Sequence, residues 1–309
     1  MTRYIIKRIL AMIPVLLGIS FVIFTIMSLT PGDPALAILG KDATPEALEL
    51  LREDMGLNEH FLLRYAKYMT NAFRGDFGIS YSTRTPVFDE VFSRYPNTLK
   101  LSFFSIIFMV VLGIPIGIVS AVKKYSLIDS ISMIGALLLT SIPGFWLGLM
   151  LILQLSLKYR LLPAIGIDSW KNYIMPCITL GAADLAILVR ITRSNMLEIV
   201  RQDYIRTARA KGAGKMRVIF KHTLRNAMLP IVTTIGLCFG SLLSGAIIVE
   251  SVFGMPGVGT MIINAIRAKD TPLVMASVLF FTIIIGLINL IVDIIYAIID
   301  PRVRSSYGG

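Results

Sequence analysis

Six runs of apolar residues dominate this sequence, and each is long enough to cross a lipid bilayer. A spanning helix needs about 20 apolar residues, because each residue adds about 1.5 Å and the hydrocarbon layer is about 30 Å thick. The predicted spans are 9–29, 101–122, 131–157, 174–191, 231–249 and 273–299. The third is expected to be interrupted at 141–144, Ser-Ile-Pro-Gly. The sequence therefore predicts an all-α polytopic membrane protein with six transmembrane helices.

The composition does not suit a soluble domain. Hydrophobic residues make up 55% and charged residues 16% of the 309 residues, whereas charged residues average about a quarter of soluble domains. The net charge of +11 does not indicate nucleic-acid binding, because much of the basic excess lies in one segment that lacks stacking aromatic side chains. Cys177, Cys238, His60 and His222 are too few and too scattered to predict a disulfide framework or a metal site.

The distribution of charge predicts which side of the membrane each loop occupies. Lysine and arginine number 17 against four acids in the segments 1–8, 123–129, 190–228 and 300–309. Because basic loops favour the cytoplasmic side, both termini are predicted to be cytoplasmic. The run 9–29 is too long for a signal-peptide core and no small-residue cleavage site follows it, so we expect it to be the first span.

Residues 30–98 form a polar region that is predicted to lie on the opposite side of the membrane. The region holds ten acids and seven bases, so its charge is nearly balanced. A threonine–proline pair at 44–45 is typical of a helix start, and we expect helices over 45–53 and 59–73. The segment 250–272 is rich in Gly and Pro and is predicted to be an outer loop.

The most informative loop is the segment 190–230, called the basic loop below. It has ten Lys and Arg against two acids up to residue 228. Apolar residues still recur at helical spacing, which predicts an amphipathic helix. These residues are Met196, Leu197, Val200, Tyr204 and Ala208. The glycines at 212–214 should end this helix, and a second short helix is expected over 216–226.

Two short helices outside the membrane form a knob that could sit in a groove on a partner protein. The small side chains of Thr207, Ala208 and Ala210 would let another surface come close. The alternative is that the basic loop only sets the topology of the chain, as positive loops do in any bacterial membrane protein.

The basic loop resembles the Glu-Ala-Ala loop of permease subunits of ATP-binding-cassette importers. Arg206, Thr207 and Ala208 stand at the Glu-Ala-Ala positions, with Gly212 after three further residues. The segment 222–225, His-Thr-Leu-Arg, stands at the Ile-x-Leu-Pro positions. This variant is similar to the dipeptide, oligopeptide and nickel subgroup, and to its first permease.

Segments on the outer side carry the same resemblance. They read Thr-Pro-Gly-Asp-Pro at 30–34, Gly-Asp-Phe-Gly-Ile-Ser at 75–80 and a Gly/Pro-rich stretch at 250–259. The resemblance implies a type I importer permease fold, divided into 1–29 with the first span, an extracytoplasmic region 30–98, and a core permease 99–309 that contains a coupling loop 193–228.

The resemblance also implies partners. They are a second homologous permease, two ATPase subunits that carry ATP and Mg, and an extracytoplasmic binding protein, in the inner membrane of a bacterium or archaeon. No cofactor is expected on this chain itself. The region 30–98 would be the platform for the binding protein, or else a plain solvated cap. The predicted coupling residues are Tyr204, Arg206, Thr207, Ala208, Gly212 and Leu224.

The expected cargo is a di- or oligopeptide, with nickel or glutathione as the alternative within the family. A secondary transporter or channel is the alternative from another class. Such proteins usually show internal repeats and intramembrane charges, and the halves 1–157 and 158–309 show no repeat.

Acidic residues in or beside the spans are candidates for the translocation path, because charges there usually face a bundle interior or an aqueous passage. They are Asp184, Glu250 and Asp293, with Asn289 as a polar neighbour of the last. Asp184 lies mid-span and could attract the amino terminus of a peptide. Alternatively it pairs with a basic neighbour or packs on a partner subunit. Asp293 is expected to be structural.

No enzyme site is predicted. The sequence around Gly212 and Lys215 superficially resembles a phosphate-binding loop, but Arg209 and Met216 occupy the positions of a required Gly and Ser/Thr, and no strand precedes it. No Ser/His pair lies in the apolar runs. We therefore expect another chain to bind and hydrolyse ATP.

Overall fold

The computed structural model describes residues 2–40 and 43–299, and the named elements in this part of the chain are all helical. They are α1 (Thr2–Leu29), α2 (Pro34–Leu39), α3 (Pro45–Asp54), α4 (Phe61–Phe73), α5 (Val87–Val122), α6 (Leu127–Ser141), α7 (Gly144–Leu151), a π-helical segment (Ile152–Lys158), α8 (Lys171–Ile199), α9 (Asp203–Ala210), α10 (Lys215–Arg217), a second π-helical segment (Val218–Leu224), α11 (Arg225–Val252), α12 (Val258–Arg267) and α13 (Thr271–Ile299).

Five helical stretches are long and apolar enough to cross a membrane, which confirms the predicted class. They are Ile5–Leu29, Val87–Val122, Lys171–Ile199, Lys215–Val252 and Thr271–Ile294. The predicted third span is a pair, Leu127–Ser141 and Gly144–Lys158, bent by 102°. The bend follows from Pro143, which is extended (φ −60°, ψ 131°) and precedes α7. Counting this pair as one broken span gives six. The predicted inner segment 300–309 lies outside the described residues.

One compact unit comprises Leu99–Met255 and, among the described residues, the end of α13 from Ile288 to Ile299. Within it α8 packs against α11, α6 and α7. The helices α5 and α8 approach closely because α5 presents glycine: a Cβ on Gly117 would lie 2.6 Å from the Cβ of Thr192. The Gly-Ile-Pro-Ile-Gly stretch 113–117 thus provides a close helix contact.

The other unit comprises Thr2–Thr98 and Pro256–Leu287. The predicted helices of the polar region are α3 and α4; the Thr44 hydroxyl caps α3 by accepting a hydrogen bond from the backbone N–H of Ala47. The sequence did not predict α2, which Asp33 caps. It also placed the start of α5 too late, since the helix begins at Val87, well before the apolar run.

The prediction of a loop over 250–272 was wrong, because α11 continues to Val252 and α12 fills much of the remainder. Glycine and proline at 254–257 concealed α12 from the sequence reading. Its buried residues recur at helical spacing and join an apolar cluster with Val87, Val91 and Tyr95. The Thr98 hydroxyl accepts a hydrogen bond from the N–H of Val258 over 2.9 Å, which fixes the start of α12.

Candidate functional site

The exposed helix of the basic loop is α9, and a single buried side chain anchors it. Ile205 is fully buried, whereas Tyr204, Arg206 and Thr207 are exposed and Ala208 is half-buried. Asp203 in the first turn and Arg209 in the last turn complement the helix dipole. One side of α9 therefore fastens it to the protein, and the other side is exposed.

The predicted amphipathic helix is in fact two helices. The chain stays helical in α8 as far as Ile199, turns over Val200–Gln202, and restarts as α9. The break follows from hydrogen bonding, because the N–H groups of Arg201 and Gln202 donate to carbonyls only three residues back. Its consequence is that α9 is a separate short helix rather than the tip of α8.

Gly212 ends α9, as the sequence predicts. Its φ is +82°, a conformation that side-chain-bearing residues rarely adopt. The N–H of Ala213 donates to the Ala208 carbonyl over 3.1 Å and that of Lys211 to Thr207 over 3.0 Å, which satisfies the last carbonyls of the helix. A Cβ on Gly212 would meet nothing within 4 Å, so backbone geometry rather than space demands glycine here.

The predicted second short helix, 216–226, is not separate. Helix continues from Lys215 through the π-helical segment Val218–Leu224 and α11 to Val252, 38 residues in all. The glycines that end α9 are followed by helix-forming residues without a further break. The knob is therefore α9 together with the start of a long spanning helix.

Inside the basic loop, apolar side chains join the loop to the spans. Ile219 is buried in one cluster with Met109, Leu188 and Met196, and Leu224 packs on the same cluster while half-buried. Of the predicted coupling residues, Leu224 thus faces the protein interior, whereas Tyr204, Arg206, Thr207 and Gly212 are exposed.

A cavity of about 420 Å³ lies beside this cluster, between the end of α5 and the basic loop. Apolar side chains and two basic ones surround it. The lining residues are Ala121, Val122, Val200, Arg209, Ala213, Lys215, Val218 and Ile219. Apolar packing between α5 and the basic loop is therefore incomplete at this level.

The sequence reading missed an ion pair close to this cavity. Arg193 donates two hydrogen bonds to Asp129, from Nε to Oδ1 over 2.6 Å and from Nη2 to Oδ2 over 2.8 Å. The Ser120 hydroxyl donates to Oδ1 over 2.5 Å and the Tyr125 N–H donates to Oδ2 over 2.9 Å. Ser126 caps α6. These five residues are called the Asp129 cluster below.

The turn within the Asp129 cluster has an unusual backbone. Tyr125 has a φ of +64°, in the left-handed region that few non-glycine residues adopt. Its exposed ring lies 4.2 Å from Lys124 Nζ, and the hydrogen bond from that ammonium lowers the pKa of the Tyr125 phenol below its ordinary value. The carboxylate of Asp129 thus holds a turn that would otherwise relax.

The candidate path residue Asp184 is buried between α8 and α11. It is 7% exposed, and its carboxyl lies beside the thiol of Cys238 on α11. Both Cys177 and Cys238 are free thiols. Asp184 therefore faces the packed contact between α8 and α11 within this chain.

The three predicted path acids do not converge. Glu250 is 1% exposed and lies 12 residues beyond Cys238 on α11, which is about 18 Å along a helix axis. Asp293 is half-buried on α13, next to Val292, whose side chain packs on Gly236. Asp293 therefore lies at about the depth of Asp184, and Glu250 at another. Among the described residues, no group of three His, Cys, Asp or Glu could hold a metal ion.

The described residues contain five or six apolar spans, with the exposed basic helix α9 between the stretches Lys171–Ile199 and Lys215–Val252, and this arrangement defines a membrane-embedded transport subunit of the permease type. Two family models match this sequence: the binding-protein-dependent transport system inner membrane component over residues 113–305, and the N-terminal region of such membrane components over residues 1–102. The chain belongs to this family of permease subunits of ATP-binding-cassette importers.

Curated relatives match along nearly the whole chain. The glutathione transport system permease proteins GsiC of Escherichia coli (strain K12) and of Shigella dysenteriae serotype 1 (strain Sd197) are each 43% identical over 304 residues, which cover 98% of this chain and 99% of theirs. Among solved structures, an inward-facing conformation of the MetNI methionine ABC transporter is similar with a TM-score of 0.60 at 20% identity, covering 70% of this chain and 98% of that one.

These findings confirm the predicted family, the type I permease fold and the lack of an ATP site on this chain, since ATP is bound by a separate ATPase subunit. They also place the protein in the inner membrane as a multi-pass subunit that works with an ATPase and a binding protein.

Proposed function

We propose that this chain forms half of the translocation path of an importer for short peptides, with glutathione, itself a tripeptide, as the first substrate to test. The observation that carries this is the 43% identity to glutathione permeases over 98% of the chain. The sequence reading gave di- and oligopeptides as the substrate and glutathione as the alternative. One peptide-sized path accommodates both classes.

The coupling contact of this importer is α9. The exposed side chains of Tyr204, Arg206 and Thr207 enter a groove on an ATPase subunit, and Gly212 keeps the end of the helix in place. ATP and Mg are held by the ATPases. Closing of the ATPase pair around ATP displaces α9 and favours the outward-open state of the spans, and hydrolysis reverses the change.

The remaining partners follow from the family. A second, related permease supplies the other half of the path, a second ATPase sits beside the first, and both termini of this chain face the cytoplasm. The polar region 30–98 receives the binding protein. Two cavities of about 330 and 340 Å³ lie among its helices, and Arg64 lines part of each. They offer space for side chains of a docking protein.

The path acids have separate roles in this proposal. Asp184 interacts with the amino terminus of the peptide as it passes, after the α8–α11 contact around Cys238 opens. Asp293 on α13 lies at about the depth of Asp184, whereas Glu250 on α11 lies at another depth and acts on the cargo at a different stage.

Uptake by the complete system in proteoliposomes tests the proposal. The chain is assembled with its related permease, ATPases and binding protein, and labelled glutathione, a labelled pentapeptide and nickel-63 are compared with and without ATP. Uptake of glutathione or the pentapeptide that requires ATP supports the proposal. Uptake of nickel alone would keep the importer class and overturn the substrate. Uptake driven by an ion gradient without ATP would contradict the coupling role of α9.

A further inference from the structure

The partly buried Asp129–Arg193 ion pair is the feature that the proposed function leaves unused. The side chains are 5% and 22% exposed. Removing two charges from water offsets most of their attraction, so a buried ion pair is a weak source of stability compared with apolar packing. Its particular property is direction: a guanidinium and a carboxylate joined by two parallel hydrogen bonds admit only one relative orientation.

The pair fixes the relative position of three helix ends. Ser120 lies near the end of α5, Asp129 at the start of α6, and Arg193 in α8, six residues before that helix ends at Ile199. The chain leads from there directly into α9, which begins at Asp203. The carboxylate of Asp129 therefore connects the end of α5, the turn at Tyr125 and the start of α6 to α8, the helix that precedes α9.

Apolar contacts at this level cannot provide the same constraint. Ala121 and Val122 of α5 and Val218 and Ile219 of the basic loop line the cavity of about 420 Å³, which leaves the apolar packing between them incomplete. Apolar surfaces attract each other without directional preference, so helices in apolar contact can shift along one another. The same shift would break the two hydrogen bonds between Arg193 and Asp129.

We propose that Asp129 and Arg193 are positioning residues for energy coupling. They make the start of α6 move together with the end of α8, so that a displacement of α9 reaches α6 and, through the 102° bend, α7. The inference rests on the coupling role proposed for α9. It predicts that removing the ion pair leaves a complex that hydrolyses ATP but transports little substrate for each ATP.

The test measures substrate molecules imported per ATP hydrolysed by the complete complex in proteoliposomes. Arg193→Gln removes the charge and keeps a polar side chain, and we expect the ratio to fall about fivefold or more. Arg190→Gln is the matched control, because Arg190 is exposed and lies one turn earlier on the same helix. We expect its ratio to equal that of the wild type.

A double variant separates coupling from simple stabilisation. If the two residues act through one another, Asp129→Asn with Arg193→Gln lowers the ratio no further than the worse single variant does. A role in stability alone would reduce the amount of assembled complex and its unfolding temperature while the ratio stayed at the wild-type value. That result would overturn the proposal.

Two further measurements cover the remaining outcomes. Should Arg193→Gln fail to assemble, Arg193→Lys keeps the charge but cannot form two parallel hydrogen bonds, and its ratio must still fall below that of the wild type.

Stimulation of ATP hydrolysis by the loaded binding protein is the second readout. A wild-type complex that imports none of the substrates contradicts the proposed function, whereas undiminished stimulation in Arg193→Gln contradicts the inference about the ion pair.

Discussion

The hydroxyl of Ser80 donates a hydrogen bond to the carboxylate of Asp270 over 2.5 Å, although the residues are 190 positions apart. Asp270 is fully buried and also accepts hydrogen bonds from the N–H and hydroxyl of Ser82 and from the N–H of Leu273 in the first turn of α13. One carboxylate therefore fastens the loop after α4 to the start of the last spanning helix.

Replacing Asp270 by alanine should markedly destabilise the unit that comprises Thr2–Thr98 and Pro256–Leu287. The loss of a helix cap and of bonds to buried hydroxyl donors is expected to cost about 2–4 kcal/mol. Thermal unfolding of the detergent-solubilised protein measures the effect, and proteolysis of the loop around Ser82 should accelerate. Asp54→Ala is the control, because Asp54 is exposed. Equal unfolding temperatures for the two variants would show that the cluster contributes nothing.

Gly212→Val should abolish ATP-dependent uptake while the chain still inserts. A β-branched residue at a φ of +82° costs about 1–2 kcal/mol of backbone strain, which α9 would avoid by fraying at its end. Gly214→Val is the matched control, since Gly214 has a φ of −62° and open space around it. Uptake and co-purification of the ATPase are measured for both. Full uptake by Gly212→Val would mean that the end of α9 does not matter for coupling.

Thr207→Trp should prevent the ATPase from co-purifying with this chain. Thr207 is exposed on α9, where a large ring would fill the space that a docking groove must occupy. Lys221→Trp adds the same ring at another exposed position of the basic loop and should be tolerated. If both variants retained the ATPase equally, the docking face would have to lie elsewhere on the loop.

Asp184→Asn should lower uptake of peptides with a free amino terminus by about fivefold while sparing N-acetylated peptides. Asp184 is a buried acid beside Cys238, and asparagine preserves its shape but cannot carry a negative charge. Uptake of matched free and acetylated peptides is the measurement, with Cys238→Ser as the control that retains a hydrogen-bonding partner. Unchanged uptake of both peptides would exclude Asp184 from the path.

The spans and the end of α9 could be predicted from the sequence because each depends on residues close together in the chain. Apolar runs of about 20 residues have one common solution in a bilayer, and Gly212 occupies a backbone conformation that glycine favours. The polar region was only partly predicted, since α3 has a local cap at Thr44 whereas the early start of α5 depends on buried contacts of Val87 and Val91.

What the sequence could not provide were the pairings between distant residues. Asp129 and Arg193 are 64 residues apart, and nothing in their spacing predicts that they meet. The burial of Asp184 against Cys238 likewise depends on how α8 and α11 pack. The short α12 was missed because glycine and proline precede it at 254–257, although its buried residues have helical spacing and pack against α5.

The unbroken helix from Lys215 to Val252 makes one rod of 38 residues, about 57 Å long at the usual rise and so nearly twice the thickness of the hydrocarbon layer. A stiff helix of this length tilts as one body about the point at which its neighbouring helices hold it. A small displacement of its basic end therefore moves the far end in the opposite direction. The helix can absorb the displacement only where it is soft, at Pro230 or in the π-helical segment Val218–Leu224, since helices bend at such sites. The stiffness of the helix at those two places therefore determines how far its opposite end moves when its basic end is displaced.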